Sequence, residues 1–465
     1  MPSFDQNDHA GEGIRSGGGK KPSRKRFRLR DLDSSQSVIL GFLLLILTGA
    51  LLLTLPISKA GAGHASFSDA LFTSVSASCV TGLVVQDTGT YWSLFGQIVI
   101  LALIQVGGLG IITMALTIIL FSGKKIGLVL RNQMAESINA PYLSGILRLT
   151  RFILLFTAAV EGAGAAAMMT VFIPRYGVGR GIWYSVFHSV SAFCNAGFDI
   201  LGAEQKFGSL TNFASQPVIN ITVMALIVIG GLGFVTWNDI FSCVGKGNKL
   251  RMQTKTVLTV TIILITVPAL LFYFGEYGDL SGEERILGSL FQSVTTRTAG
   301  FNTTDLTKLS SADVLIFIIL MLIGGSPGST AGGMKTTTVA VLMAGALSVF
   351  RRKNDASLFH RRIPEETSQK ASAILLMYLS FFSIAAIVIS RIENLPILTC
   401  LFETASAIGT VGLTLGITPG LHLVSKILLM ILMYSGRVGG LTLIYATVAN
   451  APNAGKDPME KIMVG

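Results

Sequence analysis

The chain has 465 residues, 51% of them hydrophobic and only 13% charged, with a mean hydropathy of +0.64. A soluble protein carries about twice that share of charge, so a soluble enzyme or free cytosolic binding module is excluded and a polytopic helical membrane protein is expected. The formal net charge of +11 is gathered into a few stretches, and their placement sets the topology.

Residues 1–37 form a basic tail: Arg15, Lys20, Lys21, Arg24, Lys25, Arg26, Arg28 and Arg30, with no acid between 15 and 30. The tail is long for the charged region of a signal peptide, and no small-residue cleavage site follows. The apolar run from Val38 therefore reads as a retained first span. Further basic stretches lie at 124–151, 246–255 and 351–370. The positive-inside rule places them in the cytoplasm together with both termini. The tail suits anionic membrane lipid. Nothing aromatic or folded accompanies its charge, so nucleic acid is not an expected partner.

Four related phrases then recur: "LFTSVSASCVTG" from Leu71, "VFHSVSAFCNAG" from Val186, "LFQSVTTRTAG" from Leu290 and "LFETASAIGTVG" from Leu401. The third is one residue shorter. Their glycines, Gly82, Gly197, Gly300 and Gly412, mark a unit of roughly 100 residues repeated along the chain. An apolar span precedes each phrase, at 38–56, 150–173, 256–274 and 371–390. Another follows it, at 93–121, 217–241, 312–350 and 421–449. The repeats are 38–123, 124–245, 246–353 and 354–450, with a C-terminal tail at 451–465. Each "LFxS" segment is about 8–12 residues, too short to cross a bilayer. The basic stretches stay on one side only if each unit adds two full spans. The expected fold is all-α: four tandem helix–pore-loop–helix repeats, with eight transmembrane helices and four re-entrant loops around one central pore.

A re-entrant loop is tolerated only where protein covers it or where it lines a watery cavity. Four such loops meeting on one axis can line it with main-chain oxygens that replace an ion's hydration shell. The candidate filter segments are Val80-Thr81-Gly82, Asn195-Ala196-Gly197, Thr298-Ala299-Gly300 and Thr410-Val411-Gly412. No acid stands in any of them, which suits a large, weakly hydrated monovalent cation better than a divalent one. The short helix before each segment points its negative dipole end inward. Histidines occur only at 9, 64, 188, 360 and 422, without catalytic or metal spacing, so an enzyme is not expected. Cys79, Cys194, Cys243 and Cys400 form no metal pattern, and no bridge is expected.

These phrases, with "QVGGLGIITM" at 105–114, "GGSPGSTAGGMKTTT" at 324–338 and "SGRVGGLT" at 435–442, resemble the membrane subunits of bacterial Trk/Ktr potassium uptake systems. Fungal Trk and plant HKT transporters are their relatives. The resemblance implies one potassium pore, and glycine in all four units resembles the potassium-selective members. The basic N-terminal tail, in place of two additional spans, is similar to the Ktr type. That type implies a homodimer on a cytoplasmic ring of nucleotide-binding subunits. ATP or ADP is then expected on the partner only, K+ in the pore, and no covalently bound cofactor. A ten-span Trk relative or a Na+-coupled cation carrier is the alternative.

Within 312–350, Pro327 and Gly324, Gly325, Gly328, Gly332 and Gly333 break the helix. The family has an intramembrane loop here. The resemblance thus implies a gate from Gly324, Gly325, Ser326, Pro327, Gly328, Ser329, Thr330, Ala331, Gly332 and Gly333 to Lys335. A rigid kink is the alternative. Arg437, inside an apolar span, should face the pore or the loop, where a salt bridge without a role in permeation is the other reading. Glu403 is read at the start of the fourth pore helix. Arg297 is expected to bond carbonyls or an acid behind the filter, His188 to be structural, and Glu161 has no assigned partner. The other glycine groups, Gly107/Gly108/Gly110 and Gly230/Gly231/Gly233, read as sites of close helix approach. Only the third unit is expected to turn this position into an obstruction. Residues 351–370 and the C-terminal tail are the docking candidates.

Overall fold

The run that begins near Val38 folds as α1 (Ser34–Leu53) in the computed structural model. The structure describes residues 34–110, 113, 146–247, 249–277, 282–353, 355–440 and 442. The N-terminal tail before 34, most of the basic stretch 124–151 and the C-terminal tail 451–465 lie outside the described residues.

Each unit opens with a long apolar helix: α1, then α4 (Ile146–Tyr176), α8 (Met252–Phe274) and α12 (Glu365–Glu393). These four are long and apolar enough to cross a membrane. They leave large apolar side chains bare, such as Leu155 at 66% and Phe274 at 75% exposure. In water such surfaces would drive aggregation, whereas facing lipid tails they cost nothing. Short helices follow: α2 (Phe67–Ser78), α5 (Val178–Phe193), α9 (Gly282–Thr295) and α13 (Ile397–Gly409). Their hydroxyl-rich C-terminal halves are buried, including Ser74, Ser76, Ser189, Ser191, Ser293, Thr295, Thr404 and Ser406.

The serine of "LFxS" has a repeated task. Its hydroxyl donates across to a carbonyl of the unit's long helix: Ser74 to Ile46 at 2.6 Å, Ser189 to Glu161 at 2.7 Å and Ser293 to Ile265 at 2.6 Å. In the fourth unit Thr404 bonds Cys400 within its own helix instead, at 2.9 Å. Alanine at Ser189 or Ser293 should therefore cost about 1 kcal/mol of stability. The check is thermal unfolding in detergent, in which Thr404→Ala should lower the midpoint less.

The second helices are α3 (Leu94–Leu109), α6 (Pro217–Gly231) continued by α7 (Phe234–Lys246), α10 (Ser311–Leu322) followed by α11 (Thr336–Phe350), and α14 (Leu423–Val438). Ser93 caps α3 by accepting the Gly96 N–H at 3.3 Å, and Pro217 starts α6 where a missing N–H costs nothing. The glycine groups of the other units, read from sequence as sites of close helix approach, do more than that. α6 and α7 are bent by 92°, at Gly233 with φ +90. Gly110 and Gly439 end α3 and α14 with φ +87 and +89. An L side chain seldom adopts that backbone, and a helix cannot pass through it. Among the described residues these glycine groups thus bend the helix at Gly233 and end it at Gly110 and Gly439, as well as allowing close approach at Gly107, Gly108 and Gly230. By length and composition the described residues hold four full spans, or five if the bent pair counts as one.

α14 closes on α1 through the Tyr434 hydroxyl, which donates to the Ile39 carbonyl at 2.7 Å. A two-residue hairpin, β1 (Ser357–Leu358) with β2 (Arg361–Arg362), lies in the basic stretch after α11. The four cysteines are free.

Candidate functional site

Each short helix ends in a reversal built from local hydrogen bonds. Thr81 N–H reaches the Ser76 carbonyl at 2.8 Å and Val80 N–H the Ala77 carbonyl at 3.1 Å. Ala196 with Ser191 and Asn195 with Ala192 repeat the pair, as do Val411 with Ser406 and Thr410 with Ala407. This is the Schellman arrangement, whose reversal point needs a left-handed residue. The third unit, one residue shorter, pairs Arg297 N–H with the Val294 carbonyl at 3.2 Å and replaces the longer bond by a shorter-range one from Ala299 N–H to the Thr295 carbonyl at 3.0 Å. The reversal points are Val80, Asn195, Thr298 and Thr410, with φ +56, +57, +68 and +51. None is glycine, and three are β-branched. Such strain costs roughly 1–3 kcal/mol per residue and gathers at functional sites.

Two residues on, Gly82, Gly197, Gly300 and Gly412 have φ +94, +67, +81 and +93. They come together in a closed ring. A Cβ on Gly82 would sit 2.5 Å from the Ala196 carbonyl oxygen, and one on Gly197 would sit 2.7 Å from the Gly300 Cα. On Gly300 it would meet the Val411 oxygen at 2.5 Å, and on Gly412 it would fall onto the Thr81 oxygen. The units thus follow one another around an axis and the fourth meets the first. The side chains of the reversal points turn toward the 324–335 segment: Asn195 Nδ2 lies 3.5 Å from Thr330 Oγ1, and a Cβ on Gly332 would fall onto Thr410 Oγ1. What lines the contact between units is main chain, with the Ala196, Val411 and Thr81 carbonyl oxygens beside the glycines and no carboxylate in the four segments, which suits a monovalent cation.

Behind the ring the symmetry is lower. Ser76 and Ser406 accept from the Gly82 and Gly412 N–H groups at 3.1 and 3.0 Å. Ser191 and Thr295 instead donate to the Phe198 and Phe301 carbonyls at 2.8 and 2.5 Å. Units one and four therefore differ from units two and three in how the peptide after the glycine is held.

On the helix-end side of the ring lies the segment 324–335. Gly324 N–H bonds the Met334 carbonyl at 2.8 Å, and Thr336 N–H the Gly325 carbonyl at 3.1 Å, closing the loop on itself. The Ser326 and Thr336 hydroxyls meet at 2.9 Å. The loop then leans on the broken helix of the second unit. Ser326 and Thr330 N–H groups reach the Gly231 and Gly230 carbonyls at 2.9 and 3.3 Å, and Phe234 N–H reaches the Gly328 carbonyl at 2.9 Å. Thr330 Oγ1 donates to the Phe193 carbonyl at 2.9 Å. A Cβ on Gly333 would lie 3.0 Å from the Gly409 carbonyl oxygen. The loop thus packs directly against the short helices that carry the glycine segments of units two and four. Ser326, Thr330 and Ala331 are buried, while Pro327, Gly328 and Ser329 are half-buried. Lys335 folds back, its Nζ donating to the Ala331 carbonyl at 2.8 Å.

Arg437 ties this loop to the first unit. Its guanidinium donates to the Thr330 carbonyl, to the Gly107 carbonyl and, at 2.9 Å, to the Gly108 carbonyl. The matching positions in the other units are Gly108, Gly231 and Gly325. One cation thus replaces a glycine and spans the gap.

The chain matches the TrkH family, described as cation transport protein, over residues 20–455. It is 39% identical over 454 residues to the potassium/sodium uptake protein NtpJ of Enterococcus hirae, covering 95% of this chain and 99% of that one. It is 37% identical over 422 residues to the Ktr system potassium uptake protein B of Bacillus subtilis, covering 88% and 92%. The chain belongs to the Trk/Ktr/HKT superfamily. Superfamily members are channels and transporters, and this chain is a multi-pass membrane protein and not an enzyme. The potassium transporter TrkH of Vibrio parahaemolyticus shares the fold, with a TM-score of 0.71 and 20% identity over 92% of this chain and 87% of that one.

Within this superfamily fold, Glu403 and Arg297 sit differently from the sequence reading. Glu403 lies in the middle of α13 and not at its start, because α13 begins at Ile397. Its carboxylate serves the loop that follows Gly412, at Thr414, Leu415 and Thr418. Arg297 is buried, and its Nε has no hydrogen-bond partner among the described residues. Glu161, without an assigned partner in sequence, accepts from Gln105 Nε2 at 3.3 Å, and Cys194 Sγ lies 3.5 Å from Gln105 Oε1. His188 Nδ1 pairs with the Tyr184 carbonyl at 2.7 Å inside its own helix.

Proposed function

We propose that the glycine ring is a K+ selectivity filter and that the chain is the K+-translocating subunit of an uptake system. The carrying observation is the closure of four homologous segments through Gly82, Gly197, Gly300 and Gly412. In this reading each broken second helix counts as one crossing. Four repeats, with the boundaries read from sequence, then supply eight crossings and four re-entrant loops. The filter residues are those of the four segments from Val80 to Gly412, and K+ is the cargo held by their carbonyls. Ions run down their electrochemical gradient, which an inside-negative potential makes inward.

Segment 324–335 is the gate. Its loop closes on itself and leans on the second unit, and Arg437 latches it to α3. The regulatory partner is a cytoplasmic nucleotide-binding ring that carries the ATP or ADP. Two copies of the chain assemble on it, with both termini cytoplasmic. The β1–β2 hairpin and its basic neighbours offer a docking surface to an acidic face. Relatives named for potassium uptake by Ktr systems support this reading. A second reading, Na+-coupled transport, has one support: the potassium/sodium name of the Enterococcus relative.

The test is K+ and Na+ uptake in a bacterium lacking its own potassium transporters. Wild type should restore growth at low K+. Gly82→Ser, which pushes a side chain toward the Ala196 carbonyl, should weaken discrimination against Na+. Unchanged selectivity in that variant would remove Gly82 from the filter. Stimulation of K+ uptake by external Na+ would favour the coupled reading.

A further inference from the structure

We infer that Glu403 is a positioning residue that fixes the outer end of the fourth filter segment and so contributes to cation discrimination, an inference that rests on the glycine ring being an ion filter. Glu403 is fully buried. One carboxylate oxygen accepts from the Thr414 hydroxyl and from the Leu415 N–H at 3.1 Å. The other accepts from the Thr418 hydroxyl at 2.8 Å. Thr414 Oγ1 in turn accepts the Gly416 N–H at 2.9 Å. One side chain therefore gathers residues 414–418, the strap that leaves the filter after Gly412 and Leu413.

The same position in the other phrases holds Thr73, His188 and Gln292. Gln292 Nε2 donates to Thr304 Oγ1 at 2.8 Å, and the Tyr277 hydroxyl meets that same oxygen at 2.9 Å. Thr304 stands on the third unit's strap. His188 turns back into its own helix, and its Nε2 has no partner among the described residues. Thr73 Oγ1 likewise has none. Among the described residues, a tether from this position to the strap is thus absent in the first two units, single in the third and threefold in the fourth, while the first unit instead ties its strap to Asp69, which accepts from Gln86 Nε2 at 3.1 Å. A carboxylate is an expensive choice for packing alone, since an apolar residue of similar volume avoids its desolvation. What the carboxylate adds is acceptor capacity toward three donors at once. A carbonyl ring favours K+ when its oxygens hold their spacing around the larger ion. A slack strap lets the fourth segment close in on Na+ or admit water.

The experiment measures K+ and Na+ flux by the full chain in proteoliposomes, for wild type, Glu403→Ala, Glu403→Gln and Thr418→Val, with membrane insertion checked for each. Glu403→Ala should lower the K+/Na+ flux ratio about tenfold, the scale of losing one charge-assisted hydrogen bond. Thr418→Val should lower it less. Glu403→Gln should recover most of the ratio, because its carbonyl keeps the Thr414 or Leu415 donor and its amide can donate to Thr418. A wild-type ratio in Glu403→Ala, or glutamine performing no better than alanine, overturns the tether. Should Glu403→Ala fail to insert, Thr418→Val decides, and an unchanged ratio there overturns it too. Wild-type flux without K+ preference would instead sink the filter reading itself.

Discussion

Arg437→Gln is expected to raise K+ flux measured without the nucleotide-binding partner by at least about tenfold, at unchanged membrane level. Two effects point the same way. The guanidinium donates to carbonyls on both sides of the gap, Thr330 on the loop and Gly107 and Gly108 on α3. Bonds from a charged donor contribute about 1.5–3 kcal/mol each, and glutamine's shorter amide cannot span all three. The positive charge would also oppose an ion leaving the proposed filter. At about 8 Å and an effective dielectric near 20 this repulsion is roughly 2 kcal/mol. Arg437→Lys separates the two, since lysine keeps the charge without the planar two-way reach. Raised flux in both variants assigns the effect to the latch, and raised flux in glutamine alone assigns it to the charge. Flux at or below wild type in Arg437→Gln would contradict the gate.

The part of this site that was legible in sequence is the part made by local bonds. A Schellman reversal is closed within six residues, so the phrase that encodes it can be copied whole. The missing residue in "TTRTAGF" reappears as a different reversal at Ala299 and Thr295. The cross-helix serine was visible as "LFxS", though its acceptors, Ile46, Glu161 and Ile265, were not. Whatever depends on distant partners stayed hidden. Glu403 looked like a helix-start acid because its donors come from a loop whose path depends on the ring. The glycines at 230–233 read as close packing because close packing and a break both ask for the absence of a side chain. Gly230 does the first, lying against the Phe193 carbonyl, and Gly233 does the second at φ +90. Sequence composition cannot separate the two. Arg297 is the opposite case: an expected partner is not among the described residues that surround it.

Gly412→Ala should abolish selective K+ flux while leaving the protein in the membrane. Two independent penalties meet at this residue. Its φ of +93 lies outside the range that an L side chain adopts readily. The added methyl would also fall onto the Thr81 carbonyl oxygen and lie 2.9 Å from the Gly82 Cα, both main-chain atoms of the first unit. A flexible side chain could swing away, but two strapped segments cannot, so the ring must open where the fourth unit meets the first. Relief through local backbone shifts costs roughly 1–3 kcal/mol, small against the burial that holds the helices, which is why folding should survive. If the ring is the proposed filter, the site lacks that margin, because its carbonyl oxygens must replace the ion's hydration shell together. Gly416→Ala, on the same strap with φ +88 but nothing within 4 Å of its Cβ, carries the backbone penalty without the contact. If both variants lose selectivity equally, strain alone explains the loss. If only Gly412→Ala does, the closed contact between the fourth and first units is what the filter requires.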